Sequence, residues 1–190
     1  MAVDLTGVTV AFLATEGVEQ VELTEPWKAL KDLGATVHLV SPDIEVQGFN
    51  HLDKADSFTA DRKVAEANPG VYDMLVMPGG VANPDALRTD GETVAFVQGF
   101  LEAGKAVAAI CHAPWTLIEA DGVSGRRMTS WASLQTDLRN AGADWVDEQV
   151  VVCDHGPGLL ITSRNPDDIP AFTDAVVDAL GKLEVMASGT

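Results

Sequence analysis

Short apolar runs alternate with longer amphipathic stretches along this chain. "GVTVAFLA" (7–14) is almost wholly apolar and of strand length, so it predicts a buried strand. In "ELTEPWKALKDLG" (22–34) Leu23, Trp27, Leu30 and Leu33 share one helical face, and Gly34 marks the stop. "TVHLVSP" (36–42) predicts a second strand. Residues 44–61 are more polar, with Gly48 and Asn50 as turn signals, and predict a short hairpin or excursion. "YDMLVMPGG" (72–80) reads as a strand ending in two glycines. A helix over 90–104 follows, with Val94, Val97, Phe100 and Leu101 inward and Gly104 closing it. "KAVAAI" is the central strand, and a helix is expected after Pro114.

Downstream, "SLQTDLRNAG" (133–142) predicts a helix ended by Gly142. "EQVVVCD" and "GLLITSR" read as strands joined by a turn at His155 to Gly158. Over 165–182, Asn165 is the expected N-cap, Pro166 takes the first helical position, and Ile169, Phe172, Val176 and Leu180 form the core stripe. The tail "LEVMASGT" reads as loose. Strands alternating with amphipathic helices predict an α/β fold with a mainly parallel sheet.

At 190 residues the chain is expected to form one domain, 1–190, large enough to cover both faces of a sheet with helices. Its net charge of −17, from 29 acidic against 12 basic residues, disfavours nucleic-acid partners. The apolar runs are too short to span a bilayer. "MAVDLTGVTVAFLA" has no basic n-region, so no export signal is read, and a reducing cytoplasm is the expected compartment. Its two cysteines, Cys111 and Cys153, are then expected to be unpaired.

Cys111 and His112 lie where the central strand gives way to a helix. Ligands of open parallel sheets gather beyond the carboxyl ends of the strands. A tight strand-to-helix turn there would lift the cysteine clear, and a helix N-terminus would lower its pKa. The N–H of His112 is one candidate oxyanion donor and Gly80, at the end of "MPGG", the other. On the loop after the first strand, Glu19 and Glu22 are i,i+3 neighbours at a helix start. One of these carboxyls, Glu22, is expected to be held protonated and to donate to the cysteine sulfur. Each feature has a plainer reading: a packed cysteine, a simple glycine turn, acids that favour a helix N-terminus. Cys153 ends a Val-rich strand and reads as packing. His38 and His51 have no such context, and Met74, Met77 and the four tryptophans read as core or interface residues.

The segments "EGVEQVELTEPW", "DMLVMPGG", "NPDALR", "GKAVAAICHAPWTLIEADGVSGRRMTSW", "LRNAGADWVDEQVVV" and "ITSRNPDDIPAF" cover nearly the whole chain. In this order they resemble the PfpI (intracellular protease I) family, and within it the bacterial general-stress-protein branch. The superfamily includes the Parkinson's-associated protein deglycase and is class I glutamine amidotransferase-like. The resemblance implies a flavodoxin-like three-layer sandwich with a nucleophile elbow at Cys111, followed by the family histidine at His112. Glu22 matches the glutamate that hydrogen-bonds the nucleophile, and Glu19 is the other acid of that motif. The resemblance also implies homodimers or larger homo-oligomers, catalysis without a metal or other cofactor, and a neighbouring subunit's Glu completing a triad. The nearest counterpart of that Glu is Asp85, a shorter acid in a loop one residue longer around Asn83.

The expected function is a stress-related cysteine enzyme acting on carbonyl or acyl carbons. Small reactive carbonyls, glycated adducts or peptides would be the substrates, through glyoxalase III-like, deglycase or peptidase chemistry. Two alternatives stay open. One is a redox sensor or chaperone-like stress protein using an oxidisable Cys111. The other is a glutamine amidotransferase-like subunit, which would need His155 as its base; that residue otherwise reads as an exposed turn histidine.

Overall fold

The computed structural model describes residues 3–188, with side chains through residue 183. Strand β1 (Thr9–Leu13) leads through a two-residue strand, β2 (Val18–Glu19), into helix α1 (Gln20–Asp32). Strand β3 (Thr36–Ser41) precedes the hairpin of β4 (Glu45–Asn50) and β5 (Asp53–Thr59), and β6 (Arg62–Lys63) is a short edge strand. Next come β7 (Met74–Met77), α2 (Ala82–Leu87), α3 (Gly91–Glu102), β8 (Ala106–Ile110) and α4 (Pro114–Glu119). The last third holds β9 (Arg127–Met128), α5 (Gln135–Asn140), β10 (Asp144–Trp145), β11 (Val150–Cys153), β12 (Leu160–Ser163) and α6 (Ile169–Ser188).

The main sheet runs β11-β12-β8-β7-β1-β3-β6, and every neighbouring pair is parallel except β11 and β12. Side chains alternate across it as the pleat requires. Val10, Phe12, Met74, Val76 and Ile110 face the layer of α1 and α6, where Leu30, Phe172, Val176 and Leu180 cover them. Ala11, Leu13, Leu75, Met77 and Val107 face the opposite layer, with Phe96, Phe100, Leu117 and Leu138. The result is the mainly parallel α/β sheet that the alternating pattern predicts, in the flavodoxin-like sandwich that the resemblance implies. Inside it the runs lose polar alternation because both faces are buried. Among the described residues no helix is long and apolar enough to cross a membrane.

Three expectations change at the element level. The segment read as a loose tail continues α6 as far as Ser188. Asn165 caps a short 3-10 turn, accepting from the Asp167 N–H at 3.0 Å, and α6 proper begins at Ile169. On α3, Phe96 takes a fully covered place and Val94 is only partly covered.

Candidate active site

The carboxyl ends of β1, β7 and β8 meet over one cavity of about 740 Å³, lined among others by Glu19, Glu22, Gly80, Asp85, Cys111 and His112. All six residues singled out in the sequence therefore reach one place.

Cys111 follows β8 directly and has φ +64°, a left-handed conformation in which an L side chain is strained. Tertiary contacts hold it there: its N–H donates to Ser163 at 3.0 Å, and its carbonyl accepts from the Trp131 N–H at 2.9 Å. The side chain is thrown toward α1, where Glu22 is fully buried in the first turn. Gly79 fits between them. A Cβ on Gly79 would stand 2.6 Å from Cys111 Cβ and 2.7 Å from Glu22 Oε2. The Gly79 N–H donates to that same Oε2 at 2.7 Å. Gly80, at φ +82°, lies so close to the preceding loop that a Cβ would be 2.3 Å from the Gly17 carbonyl oxygen.

The backbone N–H groups of Gly80 and His112 lie close to the Cys111 sulfur and favour its charged form. His112 Nδ1 is 3.1 Å from Sγ, and its Nε2 is 3.3 Å from Ser133 Oγ. The imidazole is stacked on Trp131, with centroids 5.5 Å apart, and tilted against Trp115 at 5.3 Å. Burial pushes the pKa of His112 down to about 4, so the ring is neutral at pH 7. Burial likewise drives Glu22 up to about 8, against the pull of the Gly79 N–H, and the carboxyl carries its proton at neutral pH. Glu22 Oε1 has no partner of standard hydrogen-bond geometry, and the carboxyl as a whole lies against the Cys111 thiol.

The thiol departs from the sequence expectation. Its pKa is raised, first by burial and then by the Glu22 charge, while the N–H groups of Gly80 and His112 oppose the rise. The lowering expected from a helix N-terminus fails for two reasons. Helix α4 has only six residues and begins three positions after the cysteine, and Cys111 is just 5% exposed. While Glu22 keeps its proton, its charge is absent and burial alone raises the thiol.

Glu19 does not reach the sulfur. Its Oε2 accepts the His51 N–H at 3.0 Å, tying α1 to the tip of the β4–β5 hairpin. His51, which the sequence left without a role, thereby joins the cavity wall. Asp85 is exposed on α2 and lines the cavity, and its carboxylate makes no hydrogen bond to His112 within the chain. His155 lies elsewhere. Strand β12 is parallel to β8, so the turn before it stands at the amino edge of the sheet, opposite Cys111. Arg126 pins that turn through the carbonyls of Pro157 and Gly158.

Sequence reasoning missed Asn83, Ser133, Trp115 and Trp131. Asn83 is fully buried; its Oδ1 accepts the Thr15 N–H at 2.8 Å, and its Nδ2 donates to the carbonyls of Pro78 and Gly79, both at 2.9 Å. It locks the β1 and β7 loops together. Its only signal was its place in "NPDALR". Among the described residues no cluster of His, Cys, Asp and Glu has the arrangement of a metal site.

The DJ-1/PfpI family model matches residues 8–179. The chain belongs to the DJ-1/PfpI family. General stress protein 18 of Bacillus subtilis is 39% identical over 166 residues, covering 87% of this chain and 94% of the relative. Protein/nucleic acid deglycase 2 of Escherichia coli is 37% identical over 172 residues, with coverage of 90% and 97%. A two-domain protein of Anabaena variabilis, with DJ-1/ThiJ/PfpI-like and ferritin-like domains, superposes with a TM-score of 0.84 at 39% identity. The match takes in 92% of this chain and 48% of that one, so the present chain spans about half the length of that protein. The Bacillus and Escherichia relatives carry stress-protein and deglycase names, in keeping with the branch that the motifs suggested.

Proposed function

We propose that this DJ-1/PfpI protein is a cysteine-dependent enzyme acting on small reactive carbonyls or their adducts, with Cys111 as nucleophile and His112 as the proton carrier. The observation that carries this is the imidazole Nδ1 at 3.1 Å from a sulfur that two backbone N–H groups also address. The deglycase name of a relative 37% identical supports the substrate class.

At neutral pH the site rests as thiol, neutral imidazole and protonated Glu22. With methylglyoxal, sulfur bonds to the aldehyde carbon as its proton passes to His112 Nδ1. The carbonyl oxygen gains the charge beside the N–H groups of Gly80 and His112, then takes the proton back from the imidazolium as a hemithioacetal. His112 next removes the hydrogen on C1 and returns it to C2 while the hemithioacetal O–H proton passes to the C2 oxygen, which turns the ketone into an alcohol and C1 into a thioester. Water cleaves the thioester, releasing lactate and the thiol. The oxidation of one carbon balances the reduction of its neighbour, so no external oxidant enters. An early glycation adduct would be attacked by the same sulfur, with the amine leaving. Homo-oligomers, a second copy's Asp85 as third catalytic group, and a cytoplasmic location belong to the same proposal.

The test is incubation of the protein and its Cys111→Ser variant with methylglyoxal, without glutathione, following aldehyde loss and lactate. Lactate from the wild type alone is expected. Equal turnover by the variant would overturn the role of Cys111. If neither makes lactate while Cys111 reacts with substoichiometric peroxide ahead of Cys153, the redox-sensor alternative takes precedence. The amidotransferase alternative loses its base, because His155 stands at the opposite edge of the sheet.

A further inference from the structure

The cavity wall is chemically one-sided. Its acids are Glu16, Glu19, Glu22 and Asp85, and no Lys or Arg lines it. The His51 ring lies 3.8 Å from Glu19 Oε2, so an acid already faces it. Glu16 and Asp85 are exposed, and neither forms an ion pair among the described residues. Deeper in, Glu22 is fully buried with its carboxyl against the thiol, and its Oε1 has no partner of standard geometry. Three apolar side chains stand in the open around the same cavity: Leu52 at 94% exposure, Val81 at 57% and Trp131 at 40%.

We infer that this site selects neutral or cationic carbonyl compounds with an apolar substituent and turns away those bearing a carboxylate or phosphate. The inference rests on the proposed carbonyl addition at Cys111 and adds the charge class of the substrate. With Glu22 protonated, an anionic substrate would still have to pass the exposed, unpaired carboxylates of Glu16 and Asp85 and approach Glu19, with no Lys or Arg in the wall to receive its charge. The net charge of −17 extends the same repulsion into the approach path. A neutral α-oxoaldehyde, or a carbonyl adduct on an amine or guanidine, meets no such barrier. Leu52, Val81 and Trp131 give its carbon skeleton an apolar surface to cover.

The test separates charge selection from turnover. In a Cys153→Ser background, Cys111 is alkylated with iodoacetamide or iodoacetate, which deliver nearly the same group with and without a negative charge. Each rate is divided by that of free cysteine. At low salt the iodoacetate-to-iodoacetamide ratio should be at least tenfold lower at Cys111 than for free cysteine, and it should rise toward the free value as salt is added. Glu16→Gln should raise the ratio, and Val81→Lys, which places a cation in the wall, should raise it further. Both positions are exposed, so the variants are expected to fold. A ratio equal to that of free cysteine, or one that Val81→Lys leaves unchanged, overturns the inference. The alkylation readout needs no carbonyl turnover, so failure of the proposed enzyme activity would leave it interpretable. For the working enzyme, methylglyoxal and phenylglyoxal should be consumed and glyoxylate spared. Consumption of all three at similar rates would refute the charge class while upholding the activity.

Discussion

Glu22 and Cys111 meet across the position where Gly79 has no side chain: the carboxyl oxygen and the cysteine Cβ stand 2.7 and 2.6 Å from the point a Cβ would occupy. One missing methyl group thus lets an acid from α1 and a thiol from the end of β8 share a buried space. Substituting Gly79→Ala should push the two apart at a cost of about 1–3 kcal/mol, because backbone as well as side chains crowd the site. Thermal unfolding and the alkylation rate of Cys111 by iodoacetamide would both show it. Gly91→Ala, with nothing within 4 Å of the new Cβ, is the comparison and should be neutral or stabilising by up to about 1 kcal/mol.

Glu22 ties stability to pH. Its folded pKa of about 8 stands above the ordinary carboxylate value of 4.5, so between the two the folded state holds a proton that the unfolded chain has lost. Stability therefore falls as pH rises across that window, by on the order of 3 kcal/mol from pH 4.5 to pH 7. Glu22→Gln removes this dependence. The variant should gain in melting temperature relative to wild type at pH 7, and the gain should shrink toward pH 4.5. A constant offset across the range would contradict a buried neutral carboxyl.

The Ser133 hydroxyl stands 3.3 Å from His112 Nε2 and can accept its proton. With Nε2–H donating to the hydroxyl, the Nδ1 lone pair faces the thiol, the tautomer a base needs. Ser133→Ala should lower kcat about fivefold, in line with one neutral hydrogen bond. Nitrogen NMR of His112 should then show a mixture of tautomers, and Ser133→Thr should restore both readouts. Loss of activity with the tautomer unchanged would assign Ser133 a different role.

Asn83 closes three buried hydrogen bonds between the β1 and β7 loops. Asn83→Ala removes the partner of the Thr15 N–H and the amide donated to the Pro78 carbonyl, while the Gly79 carbonyl keeps the Glu19 N–H, and should cost about 1–3 kcal/mol. Because Gly80 follows the same loop, the reactivity of Cys111 should fall in the variant even at temperatures where it remains folded. Denaturant unfolding and alkylation in parallel would check both.

The sheet was legible because its strands are short apolar runs that nothing but a doubly covered sheet can bury, and their order alternates with helical periodicity. Helix α2 was not, since "ANPDAL" offers an Asn-Pro turn signal and too few residues for a period. Cys111, His112, Gly80 and Glu22 could be found from sequence because each lies at or just past a strand's carboxyl end. Ser133 and Trp131 could not. Ser133 reads as the start of a helix but lies in a 3-10 turn ahead of α5, and its segment is placed by tertiary bonds, the Trp131 N–H on the Cys111 carbonyl and the Thr129 N–H on Thr162 Oγ1 at 2.9 Å. The direction of the thiol pKa was misread for a related reason. A helix start is visible in a sequence, but its length and the depth of the sulfur depend on how everything else packs.

The left-handed backbone at Cys111 also bears on what selection must keep. Glycine there would relax the corner by roughly 1–2 kcal/mol and abolish the nucleophile. The molecule could thus become hardier by giving up its chemistry, and thermal selection alone would reward that exchange. A lineage that keeps a non-glycine residue at this bend keeps it against its own folding interest, so a library screened only for heat resistance should lose the thiol at 111 before it loses the fold.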